Sequence, residues 1–209
     1  GILKDELASD EVYRRGFDLE FDAVLLVQGP FVARVTGHEP GANRPWMASE
    51  FVNGHPLDKA QASHSFENQT VVFLAAGWAW ALSDIHRAGV IHRDFKPQNV
   101  LIHQDGFKVV DFGIAHLPHG DTTASLVQKG EPFGTAKYTS PEQAVGAEEI
   151  TTASDVFSWA STVCFAASGE APFGSGPNEA IYYRITDREP VIPELPLALD
   201  GLVRSAFEK

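Results

Sequence analysis

The chain has 209 residues, 44% of them hydrophobic, enough to bury a sizeable core in one domain or two lobes. Lys and Arg number 16 against 28 Asp and Glu, a net charge of -12, which excludes a nucleic-acid groove or an anionic-membrane patch as the main function. Cys164 is the only cysteine, so an internal disulfide and a cysteine-rich zinc site are excluded too, and a reducing cytosol fits best. The longest apolar runs, 71–82 and 157–167, are about half the ~20 residues a membrane helix needs, and no secretion signal opens the chain.

In chain order, Ser9, Asp10 and Glu11 supply a cap and first-turn acids for a helix over 10–27, stopped by Gly29-Pro30. Glu20 borders its apolar face of Phe17, Phe21, Val24 and Leu25. Stretches 31–37 and 45–52 read as strands, separated by the turn-forming run from Glu39 to Asn43. From 70 to 86 the sequence is apolar nearly all round and Gly89 follows, which predicts a core helix. Short apolar strands over 99–102 and 107–110 are joined across Gln104-Asp105-Gly106, a hairpin signal. Such a hairpin returns Asp111 beside Asn99, so two oxygen ligands can share a metal. Residues 114–133, with Pro118, Gly120, Gly130 and Pro132, read as a mobile loop. Ser154-Asp155 is placed to cap a helix running to about 167, stopped by Gly169, and weaker helices are expected over 177–186 and 197–208.

One stretch carries chemistry: His92-Arg93-Asp94-Phe95-Lys96-Pro97-Gln98-Asn99, followed by Asp111-Phe112-Gly113. An aspartate that can orient a hydroxyl, a lysine two residues on, and an Asn and a second Asp placed for metal are the parts phosphoryl transfer needs. A lone His-x-Asp would mean little, since such residues are mostly caps or surface groups. The joint pattern, flanked by strands and followed by Gly134-Thr135 and Ser140-Pro141-Glu142, resembles the catalytic core of protein kinases. Lys96 is similar to the Ser/Thr branch, and the run from Gly134 to Glu142 resembles the substrate-docking segment of bacterial Ser/Thr kinases. The resemblance implies an α+β, bilobal kinase-like fold. Residues 1–52 would form a partial β-rich N-lobe with its regulatory helix, and 53–209 a mainly α-helical C-lobe.

It also implies roles. Asp94 would orient the acceptor hydroxyl and accept its proton, Lys96 would neutralise charge near the transferred group, and Thr135 would bond to both. Asn99 and Asp111 would hold Mg2+. Backbone groups near Glu50 and Val52 would meet the adenine of ATP, with Ser49 as a small gatekeeper and Leu101 and Val110 beneath the ring; on pattern alone this is an edge strand entering a loop. Glu20 falls where the regulatory helix carries its ion-pairing glutamate, the plain alternative being a solvated helix acid. Asp155 would hold the catalytic-loop backbone, a role compatible with that of an N-cap. Arg93 would gather a phosphate from Thr122, Thr123 or Ser125, or instead meet Glu131 unmodified.

In the same register the phosphate-gripping lysine falls at Gly1 and the glycine-rich loop earlier still. Lys4 lies about 10 Å away along an extended strand and faces the opposite side. Glu142 lacks the arginine expected further on, so both ends read as cut. The function implied is an ATP- and Mg2+-dependent serine/threonine protein kinase acting on a protein substrate. Its setting would be cytoplasmic, or the cytosolic part of a membrane-anchored receptor, with no nucleic-acid partner and no direct membrane contact from these residues; a homodimer is compatible. Two alternatives stay open. A pseudokinase scaffold is favoured by the missing lysine and opposed by Asp94, Lys96, Asn99 and Asp111. A small-molecule phosphotransferase is opposed by the docking segment.

Overall fold

The apolar run at 70–86 becomes the helix against which one hairpin strand and the other long helix are packed. In the computed structural model, which describes residues 23–39, 41–43, 45–111, 136–147 and 149–208, this helix spans Asn68–Arg87. It follows strands β1 (Val35–Glu39), β2 (Trp46–Ser49) and β3 (His55–Pro56) and a short helix α1 (Leu57–Ser63), and is labelled α2. Strands β4 (Val100–His103) and β5 (Gly106–Val109) come next, then helices α3 (Pro141–Ala144), α4 (Thr152–Ser168), α5 (Asn178–Asp187) and α6 (Leu197–Ala206). The sheets are small: β1 pairs with β2, and β3, β4 and β5 form a second antiparallel set. This is the α+β arrangement expected, with sheets in the N-terminal part and helices beyond.

Several expectations need correction. Helix α2 is not buried all round: Val71, Leu74, Trp78 and Ile85 face the core, while Phe73 and Trp80 are more than half exposed. Of the helix expected at 10–27, only 23–27 lies among the described residues, and helical backbone there ends at 25. The strand expected at 31–37 begins at Val35, because its first residues join the other sheet. There Val109 donates to the Phe31 carbonyl (2.7 Å) and Ala33 donates to the Val109 carbonyl (2.9 Å). The N-cap of α4 is Thr151, whose hydroxyl accepts from Ala153 N (3.3 Å). Ser154 and Asp155 therefore sit inside the first turn, free for other partners. At the far end Gly169 adopts φ 78° and closes the helix in the left-handed conformation that glycine takes without a steric cost.

The core runs between α2 and α4. Trp159 Nε1 donates to the Ala75 carbonyl (2.9 Å), and Ala160, Val163 and Cys164 are fully buried. Burial pushes the Cys164 thiol up to about 12. Phe107 of β5 is the link from sheet to helix: its ring stacks on Phe31 (4.8 Å between centroids, 12° between planes) and meets Trp78 edge-on at 6.3 Å. The edge of the ring abuts Gly77, where a Cβ would fall 2.4 Å from Phe107 Cζ and 2.6 Å from Cε1.

Alanine at Gly77 would gain about 1 kcal/mol of helix propensity, yet overpacking typically costs ~1–3 kcal/mol. Gly77→Ala is therefore expected to lower stability by about 1 kcal/mol, seen as a lower urea midpoint at unchanged slope. A raised midpoint would mean that the ring gives way freely.

Candidate active site

The loop between α2 and β4 is shaped from below by one buried carboxylate. Gly89, at φ 78°, ends α2 with its N–H on the His86 carbonyl (2.9 Å). Asp155, fully buried in the first turn of α4, then accepts from His92 N on one oxygen and Arg93 N on the other, both at 2.8 Å, and His86 Nε2 lies 2.7 Å from Oδ2. Burying a carboxylate is costly unless donors surround it, and here three do. The loop-holding role expected of Asp155 is the one found; the capping role belongs to Thr151. Arg93 takes φ 62°, a left-handed backbone that costs an L-residue about 1–2 kcal/mol.

Beyond that turn, Phe95 is buried against Trp78 and His92, and Asp94, Lys96 and Asn99 come together. Lys96 Nζ lies 2.8 and 2.6 Å from the two Asp94 oxygens. Asn99 Nδ2 donates to the Asp94 carbonyl (2.8 Å) and to its Oδ2 (3.0 Å), which leaves the Asn99 amide oxygen for another partner. The Asp94 N–H donates to His92 Nδ1 (3.3 Å). His92 has no exposed surface, and that burial pushes its pKa down against the upward pull of Asp155 and Asp94.

The β4–β5 hairpin sorts its residues onto two faces. Val100, Phe107 and Val109 are buried toward α2, and the register Val100↔Val109 and Leu101↔Lys108 puts Leu101 and Lys108 on the other face. Val110 N donates to the Asn99 carbonyl (2.9 Å), extending the ladder so that Asn99 and Val110 share that second face and Asp111 follows beside it. Asp111 itself takes φ 53°. Lys108 reaches across to Glu50 (2.9 Å) and, as its hydrogen-bond donor, holds that carboxyl below its usual value. Glu50 N donates to the Arg34 carbonyl and the Val52 carbonyl accepts from Gly54 N, so the Glu50 carbonyl and the Val52 N–H have no partner among the described residues. Ser49 is exposed at the end of β2. Glu20, Thr135, Thr122, Thr123, Ser125 and Glu131 lie outside the described residues.

The segment at 136–144 is fastened by side chains that pattern reading missed. Ser158 Oγ donates to the Tyr138 carbonyl (2.8 Å), and Gln143 Nε2 donates to the Arg93 carbonyl (2.8 Å). Glu142, expected to lack its partner, takes the hydroxyl of Ser154, which is available because Thr151 is the cap. These contacts and the one from His86 span 12 to 69 positions and leave no local periodicity to read.

The protein kinase domain family matches residues 4–204. The chain is similar to the serine/threonine-protein kinase AfsK of Streptomyces griseus, 39% identical over 208 residues, covering 99% of this chain and 25% of that protein. It is also similar to the probable serine/threonine-protein kinase PkwA of Thermomonospora curvata, 38% identical over 209 residues with 100% and 28% covered. A third relative is the serine/threonine-protein kinase PknB of Mycolicibacterium smegmatis, 32% identical over 219 residues with 100% and 35% covered. The chain thus spans a quarter to about a third of the length of these relatives.

The buried neutral imidazole has a pH signature. Because the folded pKa of His92 is depressed, the unfolded chain binds the extra proton first. Its contribution to stability is whole above about pH 6.5 and is lost as pH falls below that value. The urea midpoint should fall between about pH 7 and pH 5, and the fall should be smaller in His92→Gln. An equal fall in parent and variant would assign the acid sensitivity elsewhere.

Proposed function

The chain belongs to the protein kinase family, and from that premise we propose that its protein is a serine/threonine kinase moving the γ-phosphoryl group of Mg-ATP to a protein hydroxyl. The observation that carries this reading is the cluster of Asp94, Lys96 and Asn99, hydrogen-bonded together at the end of the hairpin that also delivers Asp111. Asp94 orients the acceptor hydroxyl and takes its proton. Lys96, already on both carboxylate oxygens, offsets negative charge between Asp94 and the incoming group. In this reading Thr135 would support this pair and Glu20 would pair with a phosphate-gripping lysine.

The donor set suits Mg2+. We assign the protein side to the Asn99 amide oxygen, left over when its Nδ2 donates to Asp94, and to the Asp111 carboxylate. Hard oxygen ligands few in number, completed by phosphate and water, are what Mg2+ takes. When bound, the ion neutralises charge on the nucleotide phosphates. For adenine, the unpartnered Glu50 carbonyl and Val52 N–H offer one acceptor and one donor, and Leu101 and Val110 supply apolar surface on the hairpin face that Lys108 ties to Glu50. The division between lobes falls at 52 and 53. Among the described residues no helix is long and apolar enough to cross a membrane, and we place the reaction in the cytoplasm, where the nucleotide is available.

Two variants of the full-length protein test this. Asp94→Asn should reduce phosphoryl transfer ~10²- to 10⁴-fold while ATP affinity stays nearly unchanged, since Asp94 faces the acceptor. Turnover equal to the parent's sinks the assignment. Asp111→Ala should abolish the magnesium-dependent part of nucleotide binding in calorimetric titration, with the thermal transition retained. Unchanged Mg-ATP affinity would move the metal site elsewhere.

A further inference from the structure

Arg93 and Asp94 share a peptide unit that is gripped from both sides. Its N–H, that of Asp94, points to His92 Nδ1, and its carbonyl, that of Arg93, accepts from Gln143 Nε2 at 2.8 Å. On the other side of the Arg93 Cα, the Arg93 N–H is held by Asp155 Oδ1 at 2.8 Å. Both peptide planes flanking a left-handed, non-glycine residue are thereby fixed, and the second of them sets the backbone from which the Asp94 carboxylate projects.

Gln143 does two separable things. Its Oε1 accepts from Ser140 N (3.2 Å) and Ser140 Oγ (3.1 Å), the return half of a capping box at the start of α3. A capping box needs only that acceptor, and glutamate supplies it equally well. The amide nitrogen is additional, and it is aimed 50 positions back in sequence at the catalytic loop. The cap fixes the orientation of the carboxamide, and the carboxamide fixes the Arg93 carbonyl.

We propose that Gln143 is a positioning residue for phosphoryl transfer, coupling the docked state of the 136–144 segment to the aim of Asp94. The proposal rests on the kinase reading above. Undocking the segment removes a donor from the peptide that precedes the base, so a substrate-facing element and the proton acceptor are set together.

The decisive variant is Gln143→Glu in the full-length protein, which keeps the size and the cap but sets a carboxylate oxygen against the Arg93 carbonyl. At pH 8, we expect kcat to fall about tenfold with KM for ATP unchanged, as a small misplacement of the base does. Amide exchange at Arg93 and Asp94 should quicken about tenfold, while the amides of α4 and the thermal midpoint stay at parental values. Gln143→Ala should show the same loss of kcat and, in addition, a lowered midpoint from the broken cap. Parental kcat and parental exchange in Gln143→Glu would overturn the proposal, as would a lowered midpoint with exchange at Arg93 and Asp94 unaltered. The exchange comparison needs no turnover. A parent without kinase activity would therefore refute the kinase reading, while exchange would still decide whether Gln143 holds the loop.

Discussion

Asp155 is a carboxylate with no access to water, placed in the first turn of a helix whose other residues there are small or apolar. Left alone it would be among the most destabilising groups in the molecule. Its position becomes favourable only when the His92 and Arg93 N–H groups and the His86 imidazole converge on it, which forces the chain after α2 into one path. Most of the site's geometry follows from that convergence. It admits the strained turn at Arg93, it sends Phe95 into the core against Trp78, and it presents Asp94 outward toward Lys96 and Asn99. Removing one partner would leave a buried charge uncompensated, a larger loss than the net worth of any one of the three contacts.

The second organising constraint is the two-residue period of the β4–β5 hairpin. One face is committed to the core through Val100, Phe107 and Val109, and the close approach of the Phe107 ring edge to Gly77 leaves that face no room to slip. A shift by one residue would exchange the faces, burying Lys108 and exposing Phe107. The requirement to bury one face thus fixes the register of the other, where Asn99, Leu101 and Val110 are found. The candidate site is held in place by apolar packing on the opposite side of the same two strands.

What could be read from the sequence divides along the same physical lines. Helix α2, the hairpin and the stop at Gly169 follow from local periodicity and from glycine, and they are where the pattern put them to within a few residues. The clustering of Asp94, Lys96 and Asn99 was legible because all three lie in one eight-residue loop. Less accessible was anything decided by competition between distant groups. Phe31, Val32 and Ala33 have strand character that cannot say which sheet they join, and β5 captured them. Ser154 and Asp155 are good capping residues, but Thr151 holds the cap, while Ser154 meets Glu142 and Asp155 meets the backbone at His92 and Arg93. The run at 70–86, apolar nearly all round, likewise hid the exposure of Phe73 and Trp80.

Cys164 shows what burial does to a reactive atom. Buried on α4 with its thiol pushed up to about 12, it stays protonated at neutral pH and out of reach of reagents. As the only cysteine in these 209 residues, it makes the chain nearly silent toward maleimides and iodoacetamides as long as it is folded. A fluorophore or spin label could then be attached at any single introduced surface cysteine without first mutating the native one. Conversely, the rate at which Cys164 itself becomes alkylated would report how often the packing around α4 opens.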